Sequence, residues 1–215
     1  MAANPGRAAR PGRPSSVDRA EMIAVAARIA DDDGLEAVTF RAVAAEMGTS
    51  AMAVHRASGG IDALRHQVVA RTVADAVREF VLPDGGWRAK ATAFAHALRE
   101  LLMRHPLVLE AHRMASLDAP GADAMAHRMV ASLREGGLSD EHAAYGYAAV
   151  HDFVTGHVAI RLGRGELELL VIAPERREAS VFAEFHDYDR RFDFGLRVLL
   201  DGLAAAMKED ADAGR

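Results

Sequence analysis

Two glycines, Gly34 and Gly48, divide the stretch from Asp18 to Leu64 into three short segments, each opened by a residue suited to capping a helix. Glycine reaches backbone conformations that end helices, so no single regular element crosses these positions. Asp18-Arg19-Ala20-Glu21 has the form of a capping box just before the apolar positions Met22, Ile23, Ala26, Ile29 and Ala30, which predicts a helix starting near Asp18. Gly34 is expected to end it in the left-handed conformation. Thr39 suits the N-cap of a second helix over 40–47, with Val43 and Met47 one turn apart on one face. Gly48 breaks that helix, and Thr49 or Ser50 caps a third from 51 to about 57. Helices this short are marginal alone and must be held by mutual packing. One helix followed by two more around a single tight turn is the layout of a helix-turn-helix, which presents one helix to DNA.

The residues filling this layout carry a resemblance. The run GLEAVTFRAVAAEMGTS at 34–50, preceded by the arm Gly12-Arg13-Pro14, resembles the N-terminal signature of TetR-type repressors. Trp87 opening a helix, the His105-Pro106 break, the Gly137-Leu138-Ser139 turn, Gly156 inside a long helix and the closing Phe192-Asp193-Phe194-Gly195-Leu196 are similar to the ligand-binding half of the tetracycline-repressor-like branch. The resemblance covers nearly the whole chain. It implies an all-α fold, in which an N-terminal three-helix helix-turn-helix DNA-binding domain joins a C-terminal helical-bundle domain for ligand binding and dimerisation. It also implies a repressor released from a palindromic double-stranded DNA operator by a small-molecule effector.

Candidate DNA-binding residues follow from that layout: Arg13, Thr39, Arg41, Thr49, Ser50, Ala51, Met52, His55 and Arg56. Arg41 occupies a position from which related repressors reach a base edge, and a guanidinium can pair with guanine O6 and N7. Ala51 and Met52 open the recognition helix, where they can touch a thymine methyl or simply pack, but cannot hydrogen-bond. Thr49, Ser50, His55 and Arg56 suit phosphates or base edges, and the amides opening the helix add a positive end. The chain departs from the family where a Leu-Tyr-x-His-Phe run and a later lysine usually stand, since His55 replaces the tyrosine and Ile61 the lysine. One phosphate contact is then lost and another weakened, with Arg7, Arg10 and Arg13 of the arm available to compensate.

Charge gives this reading no general support. The net charge is −5, and residues 1–66 hold eight arginines against eight acids. What remains is asymmetry, with Asp31, Asp32, Asp33 and Glu36 gathered at the corner between the first two helices. Weak nonspecific binding with shallow salt dependence is expected.

At 215 residues, half of them apolar, the chain can bury a substantial core and divide into two domains. The expected division is a flexible basic arm at 1–16, the DNA-binding domain at 17–65, the helical ligand-binding domain at 66–208 and a flexible tail at 209–215. The absence of cysteine excludes disulfides and thiolate metal sites. With no signal peptide and no long uncharged apolar segment, the expectation is a cytoplasmic protein without membrane contact. Apolar residues recur at helical spacing over 61–81, 87–104, 106–116, 122–135, 140–162 and 185–207, which reads as a helical bundle. The stretch 163–184, holding Gly163, Gly165 and Pro174, reads as a loop or a short helix.

Two stripes suit a four-helix interface in a homodimer: Phe192, Leu196, Leu199 and Leu203 on the last helix, and Tyr147, Val150, Val154 and Val158 on the preceding long one. Intramolecular core is the other reading of both. Met103, His112, Met114, Met129, Tyr147, His151 and Phe153 supply an apolar wall with a few polar groups for a small-molecule effector, with His112 and His151 as anchors. No histidine pair has metal-ligand spacing, so no metal and no cofactor are expected. His112 falls where the tetracycline repressor's drug-binding histidine would, but Ile160 stands at the later acidic position, which removes support for a magnesium–drug complex. Two other classes stay open: a ligand-binding helical module that has lost DNA binding, and an all-helical enzyme using Glu110, His112, His151 and Asp152, for which no nucleophile or phosphate motif exists.

Overall fold

The computed structural model describes residues 17–113, 120–169 and 187–213, and the regular structure among them is entirely helical. The chain divides into two compact units at Arg65 and His66.

In the first unit, α1 (Arg19–Asp33) starts where Asp18 accepts the backbone N–H groups of Ala20 and Glu21, at 2.8 and 3.2 Å. Gly34 ends it at φ 86° and ψ 162°, a positive-φ extended conformation open to glycine, and a 3-10 turn follows at Leu35–Ala37. Sequence patterning did not indicate that turn. Thr39 opens α2 (Phe40–Glu46) by accepting from Ala42 N at 3.1 Å, and Ser50 opens α3 (Ala51–Ser58) by accepting from Ala53 N at 3.2 Å. The buried residues Met22, Ala26, Ala30, Val38, Val43, Ala44, Val54 and Leu64 supply the core that such short helices need. Two ion pairs tie its surface, Arg28 to Glu46 at 2.8 Å and the Arg65 fork to both carboxylate oxygens of Glu36 at 3.1 and 2.9 Å.

α4 (Ile61–Glu79) starts in the first unit and continues into the second, which adds α5 (Trp87–Arg104), α6 (Pro106–Arg113), α7 (Pro120–Glu135), α8 (Asp140–Leu169) and α9 (Tyr188–Ala213). His105 closes α5, and Pro106 takes the first position of α6, where its missing N–H has no helical partner to lose. α8 packs on α5, α7 and α9. Trp87 lies so close to Gly136 that a β-carbon there would come within 2.5 Å of the indole, so only glycine admits the ring.

Three expectations are corrected. Gly163 and Gly165 do not stop α8, which runs to Leu169, since an isolated glycine weakens a helix by only about 1 kcal/mol without breaking it. The rest of that stretch, 170–186, lies outside the described residues. Residues 209–213 belong to α9 rather than to a tail; Asp210 accepts from Ser139 N at 2.8 Å and pairs with His142 Nδ1 at 2.7 Å, pinning the end of α9 to the start of α8. The two stripes assigned to a partner subunit are occupied within one chain: Phe192, Leu196, Val150, Val154 and Val158 are all buried, and Leu203 and Tyr147 pack on the cluster of Leu133, Leu138, Ala143 and Met207. Helices α8 and α9 each carry a second apolar set, Tyr145 and Ile160 on one, Phe194 and Val198 on the other, and that set is exposed.

Candidate DNA interface and ligand cavity

The turn between α2 and α3 is built from the backbone. Gly48 sits at φ 61°, Met47 N donates to Val43 O at 3.0 Å, and Thr49 N donates back to Ala44 O at 2.9 Å, closing α2 and swinging the chain into α3. At the far end Gly59, left-handed at φ 79°, donates to His55 O at 3.2 Å. α3 is therefore fixed at both ends and buries only Val54 and Ser58.

The remaining side chains of α3 carry its chemistry. Met52, His55 and Arg56 are exposed, with Ala51 and Ala53 partly so. His55 rests edge-on against Phe40 of α2, with ring centroids 5.0 Å apart at 87°, so its imidazole has a fixed seat. Phe40 in that supporting role was missed; an aromatic just after the Thr39 cap was the available signal. Thr39 and Ser50 serve first as caps, their oxygens already holding backbone amides. Thr49 is partly buried at the turn, and Arg13 lies outside the described residues. The even charge count gains meaning in three dimensions. Glu36 and Glu46 neutralise Arg65 and Arg28, while Arg41 and Arg56 are exposed and make no ion pair among the described residues. Both remain available to an anion such as phosphate.

The second unit contains an apolar cavity of about 90 Å³. Val73, Ala76 and Val77 of α4, with Phe80 just past its last residue, form one wall; Phe94, Ala97, Leu98 and Leu101 of α5 form another; Val108, Ala122, Met125, Tyr147 and His151 complete it. Among the described residues no Asp, Glu, Lys or Arg lines it, and the polar groups they supply are the Tyr147 hydroxyl and the His151 ring. Phe94, Tyr147 and His151 follow one another as tilted rings, with centroids 5.6 and 5.9 Å apart. Burial, and after it the nearby Asp123 carboxylate, raises the Tyr147 pKa above the ordinary 10.0, which keeps the phenol neutral and able to donate a hydrogen bond.

Of the seven effector-site candidates, Tyr147 and His151 line this cavity. Met129 is fully buried in the core, and Phe153 stacks on Phe192 and His157 against Gly195 of α9. Met103 is half-buried on α5 and not part of the lining. The side chain of His112 and all of Met114 lie outside the described residues. The wall formed by α4 and the Phe80 that follows it was missed, although Val73, Ala76, Val77 and Phe80 show the spacing of a buried helical face.

The family model described as "Tetracyclin repressor-like, C-terminal domain" matches residues 81–207, more than half of the chain. The chain belongs to the TetR family. This TetR-family chain is 28% identical over 211 residues to the HTH-type transcriptional repressor DrrR1 of Streptomyces coeruleorubidus, covering 85% of this chain and 75% of that protein. Apo ActR from Streptomyces coelicolor shares its fold with a TM-score of 0.71 at 25% identity, over 91% of this chain and 98% of ActR. A possible TetR family transcriptional regulator from Streptomyces coelicolor A3(2) matches with a TM-score of 0.71 at 27% identity, over 87% of this chain and 99% of that one. The TetR family is one of transcriptional regulators, and no described helix of this member is long and apolar enough to cross a membrane.

Proposed function

We propose that this protein is a cytoplasmic, non-catalytic repressor that binds a two-fold symmetric operator as a homodimer and leaves it when an uncharged, largely apolar small molecule occupies the cavity. The observation that carries the reading is the course of α4. The helix supplies Val73, Ala76 and Val77 to the cavity wall, with Phe80 directly after its last residue, and runs without a break to Ile61, directly after the recognition helix. Ligand pockets usually enclose about 300–1,000 Å³, so a drug-sized effector must widen a cavity of about 90 Å³ and displace its walls, α4 among them. A ligand that binds better to the widened form lowers operator affinity, and operator lowers ligand affinity by the same factor.

The ligand class follows from the lining. Among the described residues the site offers no counter-ion, so a charged molecule would enter it at a large desolvation cost, whereas a neutral aromatic one meets the Phe94, Tyr147 and His151 rings and one phenol donor. Recognition of the operator rests on α3, with Arg41, Arg56 and the helix-opening amides toward phosphates or bases. The exposed apolar sets Tyr145, Ile160, Phe194 and Val198 on α8 and α9 supply the surface for a second copy, and a symmetric dimer matches a symmetric operator.

The test is selection of the purified protein on a random double-stranded DNA library at near-physiological salt, followed by footprinting and by sedimentation of the free protein. Recovery of a two-fold symmetric site by a dimer is the expected result. A folded dimer that enriches no sequence would instead mark a ligand-binding module, with His55 and Ile61 as the cause. A monomer at micromolar concentration would refute the dimer.

A further inference from the structure

The first turn of the recognition helix is chemically unusual for a base-reading surface. Ala51, Met52 and Ala53 offer no hydrogen-bonding side chain, and the Oγ of the preceding Ser50 is engaged by Ala53 N. Hydrogen-bonding groups on α3 begin one turn later, at His55 and Arg56. In place of a donor or acceptor stands Met52, 64% exposed, the one large hydrophobic left exposed among the described residues of this unit.

In the major groove an apolar side chain can distinguish one common feature, the C5-methyl of thymine. Methionine is unbranched and polarisable, and its thioether settles against an irregular surface without a fixed rotamer. The two flanking alanines leave room for that approach, because neither extends past its β-carbon. Arg56 and the seated His55 follow on the same helix for phosphate or base-edge contacts that fix its register.

We infer that Met52 is a specificity-determining residue that selects a thymine in each operator half-site through its C5-methyl group. The inference rests on the DNA-binding reading above and adds which base feature is read and by which atoms. Thymine and uracil pair identically and differ only in this methyl, so replacing thymidine by deoxyuridine one position at a time isolates the contact. Loss of one buried methyl lowers affinity about four-fold, and loss in both half-sites about fifteen-fold.

The experiment measures fluorescence anisotropy of the full-length protein on the selected operator and on its deoxyuridine-scanned versions, for the wild type, Met52→Leu and Met52→Ala. The exposed position of Met52 makes both variants compatible with folding, checked by circular dichroism. The expected outcome is one symmetry-related thymine pair whose demethylation weakens the wild type and Met52→Leu, and has no effect on Met52→Ala. Uniform insensitivity to deoxyuridine overturns the inference, as does a deoxyuridine penalty that persists in Met52→Ala, and both outcomes leave the repressor reading standing. Failure to select any operator removes the repressor reading and this inference with it.

Discussion

Replacing Ala97 by leucine tests whether the cavity is the effector site. Ala97 is on α5 and faces the space bounded by α4 and Tyr147. An unfilled volume of about 90 Å³, at roughly 24 cal/mol per Å³, corresponds to about 2 kcal/mol of stability. The three added carbons of leucine, at roughly 0.8 kcal/mol each, come to a similar figure. Because the cavity is partly open to solvent, about 2 kcal/mol is an upper bound. For a chain of this size that is a rise of roughly 4–8 °C in the melting temperature of the second unit. The same substitution removes the space a ligand needs. The assays are a thermal melt without ligand, a fluorescence titration with the neutral probe N-phenyl-1-naphthylamine, and operator binding by anisotropy. Ala97→Leu should melt higher, lose probe binding at least ten-fold and keep its operator affinity. A variant that melts no higher yet binds the probe as the wild type does would refute the assignment, because the cavity would then be neither filled nor used. As a control on ligand class, the sulfonated analogue of the probe should bind the wild type far more weakly, since no Lys or Arg among the described residues lines the site.

Gly195→Ala would place a β-carbon 2.6 Å from Phe153 Cε2, and the resulting overpacking should cost about 1–3 kcal/mol in a denaturant titration. An unchanged midpoint would contradict the tight seat described for Phe153. Ser50→Ala removes the cap of α3 and should destabilise the first unit by about 1 kcal/mol while weakening operator binding, whereas Ser50→Asp should restore the cap. Burial, and after it the Arg99, Arg191 and Arg161 guanidinium groups, depresses the His157 pKa below its ordinary 6.5, so the folded protein binds this proton less readily than the unfolded chain. The stability contributed by the neutral imidazole is therefore present above pH 6.5 and is lost as pH falls through that value toward the folded pKa. Melting temperature should drop between pH 7.5 and 5.5 less steeply in His157→Gln than in the wild type, and parallel slopes would refute the assignment.

Local chemistry made the first unit legible in the sequence. Asp18, Thr39 and Ser50 satisfy specific backbone amides and Gly34 and Gly48 take specific dihedrals, so each boundary is encoded within a few residues of itself. The second unit was legible as helices but not as surfaces. Helices α8 and α9 each bear two apolar sets, and hydrophobic spacing alone does not say which faces the core; Val154 and Phe192 took the interior while Ile160 and Phe194 stayed outside. The cavity was harder still, because a void is defined by residues of five helices that fail to meet. Chemistry-bearing side chains drew attention to Met129 and Phe153, which proved to be ordinary packing, and away from the plain apolar face of α4.

The seat of Trp87 beside Gly136 has an optical consequence. It is the chain's one tryptophan, and the three tyrosines, Tyr145, Tyr147 and Tyr188, also lie beyond His66. Ultraviolet-excited emission therefore originates wholly in the second unit and is blind to the DNA-binding helices. Far-ultraviolet dichroism counts helix in both units, so the two signals recorded on one sample separate their transitions without a label. Coincident curves would show that the units unfold as one, and an earlier loss of ellipticity at constant emission would show the first unit melting on its own.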